Sequence, residues 1–308
     1  MYFLKNNHFY KKLGGMTIMF RKWAYLISLS IIWGSSYILI KKGLIGLTPL
    51  QLGSFRILFT TIILLCLGAN SLKGITRKQW NWILQTGFYG TFFPTFLFSF
   101  AETEVDSSVA AVLNGLTPLF SLIFAYFLFR VKIAQKQLLG VLVGFLGTLL
   151  LVAQEFSFNT NGDPKYSLLI VCASVFYGIN VNILKNKLSN VSPFAIALGN
   201  FLMISPPALL ILLFSDFNWS GFYQDEVVLK AMGYILILAL FGTAIAKVMF
   251  NQLLAISSAV FAISITYLLP IVAIGWGIFD GETFSKFQWL AAFLIVFGVY
   301  LGQKKAPK

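Results

Sequence analysis

Residues 242–282 read GTAIAKVMFNQLLAISSAVFAISITYLLPIVAIGWGIFDGE, and residues 90–132 read GTFFPTFLFSFAETEVDSSVAAVLNGLTPLFSLIFAYFLFRVK. Each stretch holds about half of one apolar run and then a complete run of about 20 residues, the length that crosses a bilayer as a helix. Neither shows the apolar–polar alternation of a barrel strand. Backbone in lipid has to satisfy its own hydrogen bonds, so the runs read as helices. At an offset of 152, Gly90, Thr91, Phe98, Leu116 and Pro118 meet Gly242, Thr243, Phe250, Leu268 and Pro270. The two stretches end with opposite charge, on Arg130 and Lys132 in one and on Asp280 and Glu282 in the other.

Working outward, the same reading predicts ten spans, at 23–41, 48–68, 80–101, 107–129, 136–154, 166–184, 193–214, 231–252, 257–279 and 286–303. Turn residues separate them: Asn70-Ser71 and Gly74, Asn159 to Pro164, Ser189 to Pro193, Ser215 to Gly221, Asp280-Gly281. Composition agrees. Of 308 residues 58% are hydrophobic and 11% charged, with mean hydropathy +0.83, whereas a soluble domain carries about 25% charged residues. The fold class is an all-α polytopic membrane protein. Residues 1–22 form a basic tail before the first span, with Met16 and Met19 as alternative starts. The apolar stretch after them is long for a signal peptide and has no A-x-A-like site behind it, so it reads as an uncleaved span.

Lysine and arginine collect on the cytoplasmic side of membrane proteins. With both termini cytoplasmic, the inner segments hold sixteen basic residues and the outer segments five, while all ten acids lie outside. The net charge of +13 is then a topology signal, and no nucleic-acid patch is needed to explain it. A second offset, 144, pairs Ser30, Gly34, Lys41, Leu44, Pro49, Leu58 and Leu65 with Ser174, Gly178, Lys185, Leu188, Pro193, Leu202 and Leu209. Loop prolines and mid-span prolines thus align together. The expected organisation is a five-helix repeat at 23–154, an external linker at 155–165, a second repeat at 166–303 and a tail at 304–308. Five spans per half is odd, so the second repeat inserts upside down, as in many secondary transporters.

The segments WGSSYILIKK (33–42), GLTPLFSLIFAYFL (115–128), QLLGVLVGFLGTLLL (137–151) and residues 242–282 resemble the EamA-type transporters of the drug/metabolite transporter superfamily. The resemblance covers nearly the whole chain from Trp23 to Gly302. It implies a bacterial inner-membrane protein with ten helices in two inverted repeats. Spans 1, 3, 4, 6, 8 and 9 would surround a central cavity, with spans 5 and 10 at the side. Arg130-Val131-Lys132 departs from the family's Gly-Glu ending after span 4; Gly281-Glu282 keeps it in the second half.

Polar residues on the implied cavity spans are the candidate substrate-binding set. Span 3 carries Thr91, Thr95 and Ser99 at spacings of four, and span 8 carries Thr243, Lys247 and Asn251 likewise. Span 4 adds Asn114, Thr117 and Ser121. Span 1 has Trp33, Ser36 and Tyr37; span 6 has Tyr177 and Asn180; span 9 has Ser264, Thr266 and Tyr267. A single hydroxyl more often bonds its own helix, whereas stripes on cavity spans read as a polar pathway. A cation near a helix centre costs about 2.5–3.5 kcal/mol on insertion scales, so Arg56 and Lys247 each need a partner or water. Arg56 lies on span 2, outside the implied cavity set, where a structural role is at least as natural. Lys247 is expected in the cavity, against snorkelling to the interface. Glu102, at the outer end of span 3, is expected to be solvated.

The function expected is a secondary transporter, outward by resemblance, of small polar metabolites such as amino acids or related anionic compounds. A carrier of cationic drug-like compounds is an alternative. An intramembrane enzyme on a lipid-linked substrate ranks behind, because no span centre holds Asp, Glu or His. His8 is the only histidine, and Cys66 and Cys172 lie in apolar runs. No metal site, catalytic residue or cofactor is therefore expected. The expected partners are the lipid bilayer and a small-molecule substrate. Glycines 140, 144, 147, 298 and 302 allow close helix contact within a monomer or across a homodimer. Flux is expected to run down the metabolite gradient with no obligatory proton on a carboxylate.

Overall fold

The computed structural model describes residues 3–130, 165–283 and 285–302, together with positions 135, 139, 140, 142–144, 146, 147 and 150. Most of the fifth span, the linker up to 164 and the tail 304–308 lie outside the described residues. What is described is helical throughout, with no strand. The helices are α1 (Phe3–Gly34), α2 (Ser36–Gly43), α3 (Pro49–Gly68), α4 (Arg77–Gly87), α5 (Phe93–Ala101), α6 (Ser107–Asn114), α7 (Thr117–Phe129), α8 (Lys165–Lys187), α9 (Pro193–Leu213), α10 (Glu226–Ile237), α11 (Ala246–Ile256), α12 (Ala259–Ile263), α13 (Leu269–Phe279) and α14 (Lys286–Gly302).

Seven helical segments among the described residues are long and apolar enough to cross a membrane: Thr17–Gly43, Pro49–Leu72, Ser107–Leu128, Lys165–Lys187, Pro193–Leu213, Glu226–Ile256 and Phe261–Phe279. The expected third span is a continuous helical run from α4 to α5, more polar at its start, and Trp289–Gly298 in α14 is a shorter apolar helix.

Local sequence explains where the segments begin. Thr48 caps α3 by accepting from Gln51 N at 3.3 Å, and Gln51 Oε1 accepts from Thr48 N at 3.0 Å, with Pro49 at the first helical position. Ser192 does the same for α9, accepting from Ala195 N at 3.2 Å ahead of Pro193. Two runs change pitch midway. Phe88–Phe92 and Leu238–Ile245 are π-helical, and a carbonyl in each, Gly90 O and Gly242 O, accepts from a side chain of the opposite half. Two others are broken ahead of a proline. Gly115-Leu116 separates α6 from the Pro118-bearing α7, and the tight turn Ser264–Tyr267 separates α12 from the Pro270-bearing α13.

The packing follows a recurrent scheme. Helix α3 lies on α9, and α6 on α13. Helix α5 packs on α8 as α11 packs on α1, and α7 packs on α8 as α13 packs on α1. Close contacts repeat residue by residue. A Cβ on Gly34 would stand 2.5 Å from Val272 Cβ, and one on Gly178 would stand 2.9 Å from Phe120 Cβ. One on Gly90 would meet Asn180 at 2.5 Å, and one on Gly242 would meet Ser36 Oγ at 2.6 Å. Each pair maps onto the other at offsets of 144 and 152.

Candidate functional site

The π-helical segments and the two breaks converge on one cavity, with about 120 Å³ open to water-sized molecules. Its polar wall holds Trp33, Ser36, Tyr37, Arg56, Thr91, Thr95, Asn114, Thr117, Tyr177, Asn180, Thr243, Lys247 and Thr266. Phe98, Phe250, Ile263 and Leu269 are among its apolar side chains. Many of the polar groups are already paired. Asn114 Nδ2 donates to Tyr37 Oη at 2.8 Å, and Thr117 Oγ1 donates to Asn114 Oδ1 at 3.0 Å. Trp33 Nε1 donates to Gly242 O at 3.0 Å, a carbonyl of the second π-helical segment. Two are not. Thr91 Oγ1 and Asn180 Oδ1 are buried without a hydrogen-bond partner, and both face the cavity.

Both membrane cations reach this space. Lys247 Nζ donates to Gly90 O, the π-helical carbonyl of the opposite half, so it faces inward instead of snorkelling. Arg56 Nε donates to Thr243 Oγ1 at 2.9 Å. The expectation that span 2 stands outside the cavity is thus corrected for this residue, whose long side chain crosses to α3's neighbour. No aspartate or glutamate lines the cavity among the described residues.

Four candidates with described side chains are not brought to it, the first being Ser121, whose Oγ accepts from Asn182 Nδ2 at 3.2 Å. Ser99 is buried and donates to Thr95 O at 2.8 Å. Asn251 donates to Pro193 O at 3.1 Å, beside a separate small cleft. In an α-helix a spacing of four advances about 40° beyond a full turn, so Ser99 and Asn251 are rotated off the face that Thr95 and Lys247 present. Tyr267 sits next to Thr266 on a tight turn, where successive side chains diverge by about 120°. Thr266 has the cavity side.

The sequence of the EamA-like transporter family matches residues 22–153 and again 164–302. The chain belongs to the EamA-like transporter family. It is 31% identical to the uncharacterized inner membrane transporter YedA of Escherichia coli (strain K12) over 90% of this chain and 88% of that protein. It is 23% identical to a protein named "Probable amino-acid metabolite efflux pump" in Salmonella typhimurium, over 92% of this chain and 95% of that one. A crystal structure with 16% sequence identity shares the fold at a TM-score of 0.63, covering 90% of this chain and 94% of the other. The chain is a multi-pass membrane transporter of this family.

In this EamA-like chain an ion cluster stands one helical turn beyond the cavity. Lys41, four residues past Tyr37, reaches Glu282 at 2.8 Å, Asp280 at 3.4 Å and Asp106 at 3.7 Å. Lys42 also pairs with Asp280. Glu282 caps α6 from the other half, accepting from Ser107 Oγ at 2.7 Å, Ser108 Oγ at 2.6 Å and both backbone amides. Burial alone would raise the Glu282 carboxyl, but the hydrogen bonds from Lys41, Ser107 and Ser108 hold it below the ordinary range. The Lys42 hydrogen bond holds Asp280 low, while burial raises Asp106. At the opposite end, Lys185 Nζ donates to Leu254 O at 2.9 Å and Ser257 O at 2.7 Å. Glu102 is the second correction. It is 5% exposed, and neither carboxylate oxygen has a hydrogen-bond partner. Its place in a turn signalled solvent; its burial, within the electrostatic reach of Arg56, Glu282 and Lys41, is a tertiary fact with no local sequence mark.

Proposed function

We propose that the chain is a secondary transporter that exports small polar metabolites bearing an anionic group, amino acids or related compounds, by alternating access. The observation that carries this is the pairing of Arg56 and Lys247 in one cavity whose described lining has no acid. Charge interactions strengthen as the dielectric falls, so such a cavity attracts a carboxylate and repels a cation. Arg56 uses Nε on Thr243, and a planar guanidinium has further donors for a carboxylate. Asn180 Oδ1 is a free acceptor for a substrate ammonium or hydroxyl. The amino-acid efflux name of the Salmonella typhimurium relative supports the same class.

In this reading the chain has ten helices as two inverted five-helix repeats and sits in a bacterial inner membrane with both termini cytoplasmic. The two family matches, the matched π-helical segments and the paired glycine contacts support the repeat. The substrate lies between the halves, where helix breaks before Pro118 and Pro270 let each half rock. The test is counterflow in proteoliposomes with a panel of labelled amino acids and amines. Lys247→Ala and Arg56→Gln are expected to cut amino-acid exchange about tenfold or more, as for loss of a charged hydrogen bond worth roughly 1.5–3 kcal/mol, at unchanged protein recovery. Exchange of amines alone, or exchange indifferent to both substitutions, would overturn it.

A further inference from the structure

We infer that Glu102 is a proton-binding site that controls the Lys41–Glu282 clamp, which stays closed with Glu102 protonated and opens when it is ionised. This goes beyond the transport reading and does not depend on which substrate is carried.

The inference begins with placement. Phe98 lines the cavity, and Glu102 N donates to Phe98 O at 2.9 Å, so Glu102 starts the next turn outward. Tyr37 lines the cavity, and Lys41 starts the next turn of α2. One turn is about 5.4 Å of rise, so carboxyl and clamp occupy the layer directly above the cavity. That layer joins both halves, because Lys41 and Ser107–Ser108 come from the first and Glu282 and Asp280 from the second.

The chemistry follows from the missing partners. A buried carboxylate without hydrogen bonds is strongly disfavoured, and the group meets the cost by taking a proton. Burial accordingly raises Glu102 well above the ordinary carboxylate range, with Arg56 of α3 opposing, Glu282 adding to the rise and Lys41 of α2 opposing. Tyr37 of α2 also faces it electrostatically. When the proton leaves, the new charge has two cations within its field. Lys41 is the one already shared, and drawing it toward Glu102 takes it from Glu282. The carboxylate cap on α6 then loses its counter-ion, and water enters the layer.

The sign is fixed by linkage. The closed form holds one proton more than an open form with Glu102 in water. Closure is therefore complete in the ordinary carboxylate range, near about 4.3 for a free Glu, and is lost as pH rises toward the raised value. Asp280 and Glu282 are held low, so their own protonation loosens the clamp only in stronger acid; Asp106, raised by burial, has the same sign as Glu102 and favours closure when protonated. The opposite latch has Lys185 on backbone carbonyls, which do not titrate, so the response belongs to one end of the molecule.

The experiment is hydrogen–deuterium exchange of the full chain in detergent, following the peptide over 103–112 against pH, with wild type and Glu102→Gln compared at each pH. One linked proton moves an equilibrium by at most about tenfold per pH unit. Wild-type protection is expected to fall several-fold per unit above the ordinary carboxylate range, and Glu102→Gln, which mimics the protonated form, to stay protected. Glu102→Asp keeps a carboxyl and should keep a pH response, which separates loss of titration from loss of fold. A second measurement needs no variant: reaction with dicyclohexylcarbodiimide, which adds to protonated carboxyls in apolar surroundings, should label Glu102 and fade over the same pH range. A flat wild-type profile, an equal slope in Glu102→Gln, or a Glu102 that stays unlabelled at every pH overturns the inference.

Discussion

Lys247 and Gly90 depend on one another across the two halves. The Gly90 carbonyl lies in a π-helical turn, and the lysine from the opposite half donates to it. Gly90 also has no room for a side chain, because a Cβ there would stand 2.5 Å from the Asn180 carboxamide. Gly90→Ala is expected to push Asn180 into the cavity and reduce exchange about tenfold, an overpacking effect of roughly 1–3 kcal/mol. Gly275→Ala is the control, since nothing lies within 4 Å of a Cβ at that position. Parallel counterflow assays of the two variants, normalised to folded protein, check this; equal rates would remove the packing argument. Among candidate residues, a place at the cavity was legible for polar types on the implied cavity spans, as with Asn114, Thr117 and Asn180. It was not legible for Ser99 and Asn251, whose stripe was drawn at a spacing of four on a helix that turns every 3.6 residues. Thr91 belongs to the cavity from within the π-helical segment Phe88–Phe92.

At the scale of elements, the two halves end their fourth segments in the same backbone form with different residues. Gly281 takes φ +86°, free of strain, while Arg130 takes φ 52°, where a side chain beyond glycine is disfavoured. Arg130 closes α7 by donating its amide to Tyr126 O at 2.8 Å. Arg130→Gly should therefore raise stability by about 1 kcal/mol, seen as a higher melting temperature of the purified protein. A fall would mean that the guanidinium holds contacts worth more than the strain. The substitution of the family's Gly-Glu ending thus has a measurable local cost and also removes the acid that Glu282 supplies in the other half. Segment positions were readable because each relied on local chemistry: capping residues at 48 and 192, prolines behind breaks, glycine in turns. The π-helical pitch carried no such mark. It arises where Gly90 and Gly242 meet Asn180 and Ser36 from across the cavity, contacts that no window of sequence contains.

For the whole molecule the sidedness of the two ends decides how cavity, clamp and latch work together. In the proposed inverted repeat Lys41 and Lys185, partners at an offset of 144, lie on opposite faces. One then closes the cavity through carboxylates and the other through carbonyls. If α2 and α8 pointed the same way, both latches would lie at one mouth, and no alternation between them could move a substrate across. On the proposed topology, drawn from the sixteen-to-five distribution of basic residues, the Lys41 end is outside. Cys66 and Cys172 are both exposed, so serine at both positions makes a clean background. In that background a single cysteine at Gly74, in the turn after α3, should react with an impermeant maleimide only after the cells are opened. One at Trp219, half exposed between α9 and α10, should react in intact cells. The reverse pattern would turn the molecule over and put the proton-sensitive clamp in the cytoplasm. Labelling of both positions from one side would be worse for the model, because α3 and α9 would then run parallel and the repeat could not be inverted.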